Sequence, residues 1–479
     1  MINFGILVFS SLAMGNSIVW SGPVWEIWIA EFNCTYNQLN ISTAICFIFL
    51  AFGCFFLQPI SSHFGKRCVY LSCSLIQIIG NIIYITANDI KSIWAATALV
   101  GFSSAPIYAI VILSSTDLFF QHERAFKVSV LVFTIFGSTS LAPFIAGYIT
   151  SGLSWKWCPK VLLIWFCCLF VLQFFFMEET SFTRNQTNEE IEKDVIEQIK
   201  SNQSGFNSGK QIVVTESKMI PDETNETKKS YLETLKIFET KHAPKNSIFK
   251  TAIWPFNMYL LPIVVWCGLL QGLQQMWLSY VINTQALFFS AAPYNFSTGS
   301  IGLTNLSTLI GTIIGTFYGL VVDKVGIYFS KKNNGVFEPE FLLWTLTLPV
   351  FANGCGILLY GLGASYKEHW IVAMIGDSFI GFSMTTITSI SFTYCCDCYP
   401  ELENNSMIAV GILSNLIPIA FSFCVNIWLT NSGTKLVTWM CFLIAMFFNT
   451  SFIFLIIFGK SVRRSSIKTF KKLISSDFL

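Results

Sequence analysis

A run of about a dozen apolar stretches, most of them near twenty residues long, constrains this chain more than any other feature. A helix rises about 1.5 Å per residue, so about twenty apolar residues cover the hydrocarbon core of a bilayer. Lipid offers no partners to backbone N–H and C=O groups, so each stretch must satisfy them internally as a helix. The reading is an all-α membrane protein with spans at 4–30, 38–60, 68–87, 93–115, 129–151, 158–177, 251–280, 298–320, 341–363, 370–393, 406–429 and 437–459, numbered 1 to 12. A long polar insert cuts this rhythm in half. The expected parts are a six-helix half over 1–177, a central loop over 178–250, a second six-helix half over 251–459 and a basic tail over 460–479. The central loop is rich in Asn, Ser, Thr, Glu and Lys and lacks apolar periodicity, so it is expected to be largely disordered, a tether between the halves.

Composition fits that class. Of 479 residues, 53% are hydrophobic and 12% charged, about half the charged share of a soluble domain. The net charge of +2 says nothing about partners, because the charges are segregated. If the N-terminus is cytoplasmic, 24 of the 29 lysines and arginines fall on the inner side, which is the usual bias. Both termini are then inside, as an even number of spans requires. The tail mixes Lys460 to Lys472 with Val462, Ile467 and Phe470, and is expected to lie on the anionic inner leaflet. Two Asn-x-Ser/Thr sites, Asn33 and Asn295, fall outside and are candidates for glycosylation. The first apolar run, Phe4 to Ala30, is too long for the core of a signal peptide.

Several chemistries are excluded. The 15 cysteines are scattered through apolar runs without metal-ligand spacing; Cys395, Cys396 and Cys398 cluster but lack a second pair or nearby histidines. The four histidines, His63, His122, His242 and His369, fall in expected loops. There is no nucleophile elbow, phosphate-binding loop or metal motif, so neither an enzyme nor a cofactor or metal is indicated. Nothing points to nucleic acid, and no nucleotide-binding domain is present to supply direct ATP drive.

The two halves carry matching landmarks. After span 2 comes Gln58-Pro-Ile-Ser-Ser-His-Phe-Gly-Lys-Arg67, and after span 8 comes Gly319-Leu-Val-Val-Asp323-Lys324-Val-Gly326. The second fits a G-x-x-x-D-[RK]-x-G loop that resembles the major facilitator superfamily; in the first copy Phe-Gly65-Lys66-Arg67 survives. Span 5 holds Leu141-Ala142-Pro143-Phe-Ile-Ala146-Gly147, which resembles that superfamily's antiporter motif, where small residues let helices approach and pivot. Thr116 to Arg124, Tyr294 to Leu303 and Lys332-Asn-Asn-Gly-Val-Phe-Glu-Pro-Glu340 look like its fungal drug:proton antiporter group, most of all the branch with the yeast histidinol-uptake and polyamine carrier. Many proton antiporters carry an arginine in span 4 where this chain has Thr97, so no relay rests on an arginine there.

A charge in lipid costs about 2.5–3.5 kcal/mol on insertion scales, so charges inside spans are candidates for function. Glu26 and Asp377 lie clearly inside; Glu31 and Asp397 lie near span ends. Asp377 shares a helix face with Gly381, Thr385 and Thr388, and Glu26 follows Asn16, Trp20 and Pro23 on span 1. Span 7 offers Gln271, Gln274 and Gln275. The resemblance implies that spans 1 and 7 face a central cavity, which places these groups near the substrate. Acids, amides and an indole with no balancing base suit a cation; the competing reading has the glutamines pairing helices and Glu26 reaching the headgroups. The expected function is a monomeric, proton-coupled secondary transporter of organic cations or polyamines, working by alternating access in a plasma membrane. The alternatives are an exporter of neutral or weakly acidic drugs, and a non-transporting sensor with the same fold.

Overall fold

A computed structural model describes residues 2–108, 110–111, 114, 124–178 and 248–477. Most of the expected central loop, and the stretch 115–123 with His122, therefore lie outside the described residues, as does His242. Among the described residues, ten helices are long and apolar enough to cross a membrane. They include span 1 (Asn3–Phe32), span 2 (Tyr36–Phe64), span 3 (Lys66–Thr86), span 4 (Ile90–Tyr108) and span 6 (Trp157–Phe176). Span 5 is the helix Arg124–Gly152. In the second half they include span 8 (Thr298–Lys332), span 9 (Glu340–Tyr366) and span 10 (Trp370–Cys398). Span 7 (Pro262–Ser290) adds an eleventh, taken together with a short helix bent away from it. The stretch Glu403–Leu473 holds two spans, because Gly433 breaks it at φ 74 and ψ 155. Spans 11 (403–432) and 12 (from 434) thus turn on one residue, and only glycine adopts that backbone cheaply. Successive spans alternate in direction, so both ends of the chain lie on one face, called proximal here; the other is distal.

Large side chains turned outward mark the lipid-facing surface: Phe447 is 74% exposed, Phe351 66% and Phe317 63%. The interior holds Trp28, Trp277, Tyr108 and Phe166. Small residues let backbones touch. A Cβ on Gly311 would stand 2.0 Å from the Ser378 carbonyl, and one on Gly381 would stand 2.4 Å from the Thr308 carbonyl, so span 8 and span 10 meet without intervening side chains.

Three expectations need correction. Span 7 begins at Pro262, not near residue 251. Ile248–Ile253 and Trp254–Leu260 form a short helix bent 97° from it, with Leu261 extended before the proline. Its exposed Ile253, Phe256 and Leu260, beside Trp254 and Tyr259, read as apolar as a span but suit the membrane edge. The motif Gly319 to Gly326 lies within the unbroken helix Thr298–Lys332, so Gly319 makes no turn there. In the first copy Gly65 does turn, at φ 96, between Tyr36–Phe64 and Lys66–Thr86. His63 sits in the last turn of span 2, not in a loop.

The tail is helical. It continues as the helix Phe452–Asp477, held against the second half by ion pairs. Arg463 donates to both carboxylate oxygens of Glu340 at 2.9 and 2.8 Å, and the ring of Phe470 packs on Tyr399. Lys460 lies 2.5 Å from Glu338, and that hydrogen bond holds the Glu338 carboxyl below the usual range.

Candidate functional site

The site is built where the two halves meet. Spans 1 and 7 approach at their distal ends. A cavity of about 20 Å³ is lined by Ile18, Val19 and Trp25 of span 1, Ile282 of span 7 and residues of spans 2 to 4. Gly22 faces Gln285, whose Nε2 would be 2.5 Å from a Cβ there. At 100° per residue, Gln271, Gln275 and Ile282 share one face of span 7, and Ile282 meets the first half at the distal end of that face.

Gln275 lies against span 11, where its Nε2 donates to Ser414 Oγ at 3.5 Å. The next residue, Asn415, donates from Nδ2 to the Gly411 carbonyl at 2.7 Å and lies 3.9 Å from Cys54 Sγ of span 2, in the other half. These bonds fix both amides with their oxygens turned the other way. Gln275 Oε1, Asn415 Oδ1, Gln271 Oε1 and both polar atoms of Asn16 are buried and have no hydrogen-bond partner. On span 1, Gly15 abuts Ser138 of span 5 and Ser17 hydrogen-bonds Ser104 of span 4 at 3.4 Å. Asn16 falls between these contacts on the helix wheel. A buried amide oxygen left unpaired costs about 1–3 kcal/mol, so each of these is a candidate acceptor for an incoming donor.

The remaining sequence-identified residues are placed elsewhere. Gln274 joins a polar network inside the second half: its Nε2 donates to Asn449 at 3.4 Å, its Oε1 accepts from Asn353 at 3.5 Å, and Asn353 donates to Ser383 at 2.7 Å. Trp20 packs edge-on against Trp28 and Tyr84, inside the first half. Glu26 is half-buried near the distal face and accepts from Tyr36 of span 2 and, at 3.0 Å, from Ser290 at the end of span 7. Asp377 is buried between spans 10 and 8 and accepts from Ser307 at 2.9 Å and from Thr308. The two acids thus share no partner. Asn33 and Asn295 are exposed in distal connections, both with left-handed backbone.

The motif residues divide similarly. Arg67 is 1% exposed and donates to the Phe174 carbonyl at 2.6 Å, tying span 3 to span 6; Lys66 precedes it at the turn. Asp323 lines a small cavity with Tyr318, Gly319 and Thr393, while Lys324 is exposed. Span 5 meets span 8 through Gly147: a Cβ there would stand 2.9 Å from Gly302 Cα and 3.0 Å from the Thr298 carbonyl. The Pro143 carbonyl likewise lies 2.9 Å from where a Cβ on Gly302 would stand.

Contacts join the halves at both faces. On the proximal face Gln58 donates to Asn404 at 2.9 Å and His63 lies 3.1 Å from Thr251. On the distal face Asn426 donates to Asn37 at 2.7 Å, alongside Glu26 with Ser290. Spans 2 and 11 are thus hydrogen-bonded to each other at both their proximal and distal ends. Sequence reasoning missed Asn415, although Ser414-Asn415 is a polar break in an apolar span. It also missed Ser290, Asn37 and Asn426, which become meaningful only across the two halves.

Glu26 acts here as one strand of the distal contact. Glu26→Gln keeps an oxygen that accepts from Tyr36 and Ser290, so the expected result is transport within about threefold of wild type, since neutral hydrogen bonds are each worth about 1 kcal/mol. Uptake measured in intact cells checks it; a complete loss would place the charge of Glu26 in the transport step itself.

Comparison with known proteins agrees with this architecture. The profile of the Major Facilitator Superfamily matches residues 5–423. An uncharacterised MFS-type transporter of Schizosaccharomyces pombe is 28% identical, over 97% of this chain and 84% of its own. Protein HOL1 of Saccharomyces cerevisiae is 24% identical, over 90% and 81%. YHK8 of the same yeast, described as a probable drug/proton antiporter, is 22% identical, over 84% and 72%. Among solved structures the proton:xylose symporter XylE superposes with a TM-score of 0.64 at 13% identity, over 96% of this chain and 95% of that one. The chain is a multi-pass membrane transporter, not an enzyme, and it belongs to the major facilitator superfamily.

Proposed function

We propose that this transporter moves organic cations of the polyamine type by alternating access, driven by a proton gradient. The observation that carries this reading is the set of amide oxygens on Asn16, Gln271, Gln275 and Asn415, buried at mid-depth without donors. Protonated amines are donors only, and such oxygens replace the water a cation gives up on entering. No lysine or arginine lies in the apolar middle of any span, so nothing repels positive charge. The resemblance to the histidinol-uptake and polyamine branch points the same way. Proton coupling then falls to a buried carboxylate, since Thr97 stands where an arginine relay would begin.

The lysine and arginine bias favours a cytoplasmic proximal face, with Asn33 and Asn295 outside and glycosylated in a plasma membrane. A single chain contains all the residues of this site, as a monomer requires. Uptake and efflux of radiolabelled spermidine in cells with and without the gene test the proposal. Saturable, pH-dependent spermidine flux that follows the gene supports it; flux of neutral drugs alone would favour the exporter reading.

A further inference from the structure

We infer that Asp377, Ser307 and Thr308 form a proton-binding site distinct from the amide site, and that its protonation controls the packing of span 8 against span 10. The inference rests on the reading of the chain as a cation transporter and names the group that couples it.

The Asp377 carboxylate is 2% exposed. Its Oδ2 accepts from Ser307 Oγ at 2.9 Å and from Thr308 Oγ1, whereas its Oδ1 is buried without a partner. Two hydroxyl donors on one oxygen support the charged form, and a bare second oxygen is where a proton binds. Among the described residues no lysine, arginine or histidine balances the charge. Span 8 has no carboxylate or basic side chain before Asp323, and span 7 none at all; the phenols of these stretches are Tyr318 and Tyr280, the latter edge-on to Tyr360. The charged residues of spans 5, 9 and 11 stand at their proximal ends. The neighbouring titratable group is the phenol of Tyr360 on span 9, itself 3.2 Å from Thr284 Oγ1 of span 7. Lys367, Glu368 and His369 lie in the distal connection, about two turns of helix before Asp377.

An ionised carboxylate buried without a counter-charge is costly, and binding one proton removes that cost. The step is simple: a proton joins Oδ1, the negative charge disappears, and the hydroxyls of Ser307 and Thr308 no longer hold a charge in place. The location makes this matter mechanically. Gly311 lies against the Ser378 carbonyl and Gly381 against the Thr308 carbonyl, so the two helices touch backbone to backbone on either side of the carboxyl. Ser378 also donates to the Ser307 carbonyl at 2.8 Å. Span 8 in turn carries Gly302, which packs on Gly147 of the other half. A change in charge at Asp377 thus reaches the interface between the halves without the substrate touching the acid.

The test uses the full chain in liposomes with radiolabelled spermidine as probe. Asp377→Asn is expected to lose accumulation driven by a pH gradient, at least tenfold, while binding spermidine as wild type does; Asp377→Glu restores accumulation. Loss of spermidine binding in Asp377→Asn, or persistent pH-driven accumulation, overturns the inference, as does accumulation driven by a sodium gradient instead. Should Asp377→Asn fail to fold, Ser307→Ala removes one donor to the charged form, so the pH of half-maximal accumulation must rise; an unchanged pH profile counts against the site. A further readout needs no substrate. Infrared difference spectra between acid and alkaline buffer should show a protonated carboxyl band in wild type that Ser307→Ala shifts to higher pH. A chain that ignores spermidine yet shows that band overturns the substrate reading alone, and a chain without it overturns this one.

Discussion

Gly147→Leu is expected to reduce spermidine uptake at least tenfold while the protein still folds and reaches the membrane. The glycine packs on Gly302 of span 8, and even a single Cβ would stand 2.9 Å from Gly302 Cα and 3.0 Å from the Thr298 carbonyl. Both are backbone atoms and cannot rotate aside. A leucine would therefore hold spans 5 and 8 apart on the distal side and stop the halves from closing there. The clash is confined to the distal ends of spans 5 and 8, so folding is expected to survive. Surface labelling and uptake in the same cells check the result; normal uptake at normal expression would show that this contact is not part of the transport cycle.

Joining Asn37 to Asn426 should stop transport completely. Their side chains hydrogen-bond at 2.7 Å across the halves, between span 2 and span 11 on the distal face. With cysteines at both positions, a short bis-maleimide would hold that face closed. Alternating access requires the same contact to open once in each cycle. Uptake should fall to background on cross-linking, whereas a single-cysteine variant treated in the same way keeps its rate. Undiminished uptake in a fully cross-linked sample would mean that this face does not open.

The fold was largely readable because apolar runs of membrane length admit one solution, a bundle of spanning helices. The errors have local causes. Trp254 to Leu260 is apolar enough to look like the start of span 7, and hydropathy cannot distinguish a helix in the membrane edge from one that crosses it. Gly319 suggested a turn, yet nothing else near it interrupts the helix, and span 8 runs on to Lys332. That Arg463 of the tail pairs with Glu340, more than a hundred residues earlier, carried no signal in the sequence.

The candidate site was legible only in part. Asn16, Gln271 and Gln275 stand out as amides in apolar helices, but spacing alone could not separate Gln275 from Gln274, whose amide serves Asn353 and Asn449 instead. The acids were visible as charges within spans, but their separation was not. Glu26 finds Ser290, and Asp377 finds Ser307 and Thr308, through long-range contacts. Serine and threonine are common in such helices, where their hydroxyls usually bond their own backbone, so they carry no signal until the fold brings them to a carboxylate.

The central claim is that the mid-depth amide oxygens hold a cation. Equilibrium binding of radiolabelled spermidine to the purified chain tests it most directly, comparing wild type with the double variant Gln275→Leu, Asn415→Leu. The account predicts saturable binding to wild type, weakened at least tenfold in the double variant, a loss of about 1.4 kcal/mol or more. Equal affinity in both proteins, or no saturable binding to either, would contradict it.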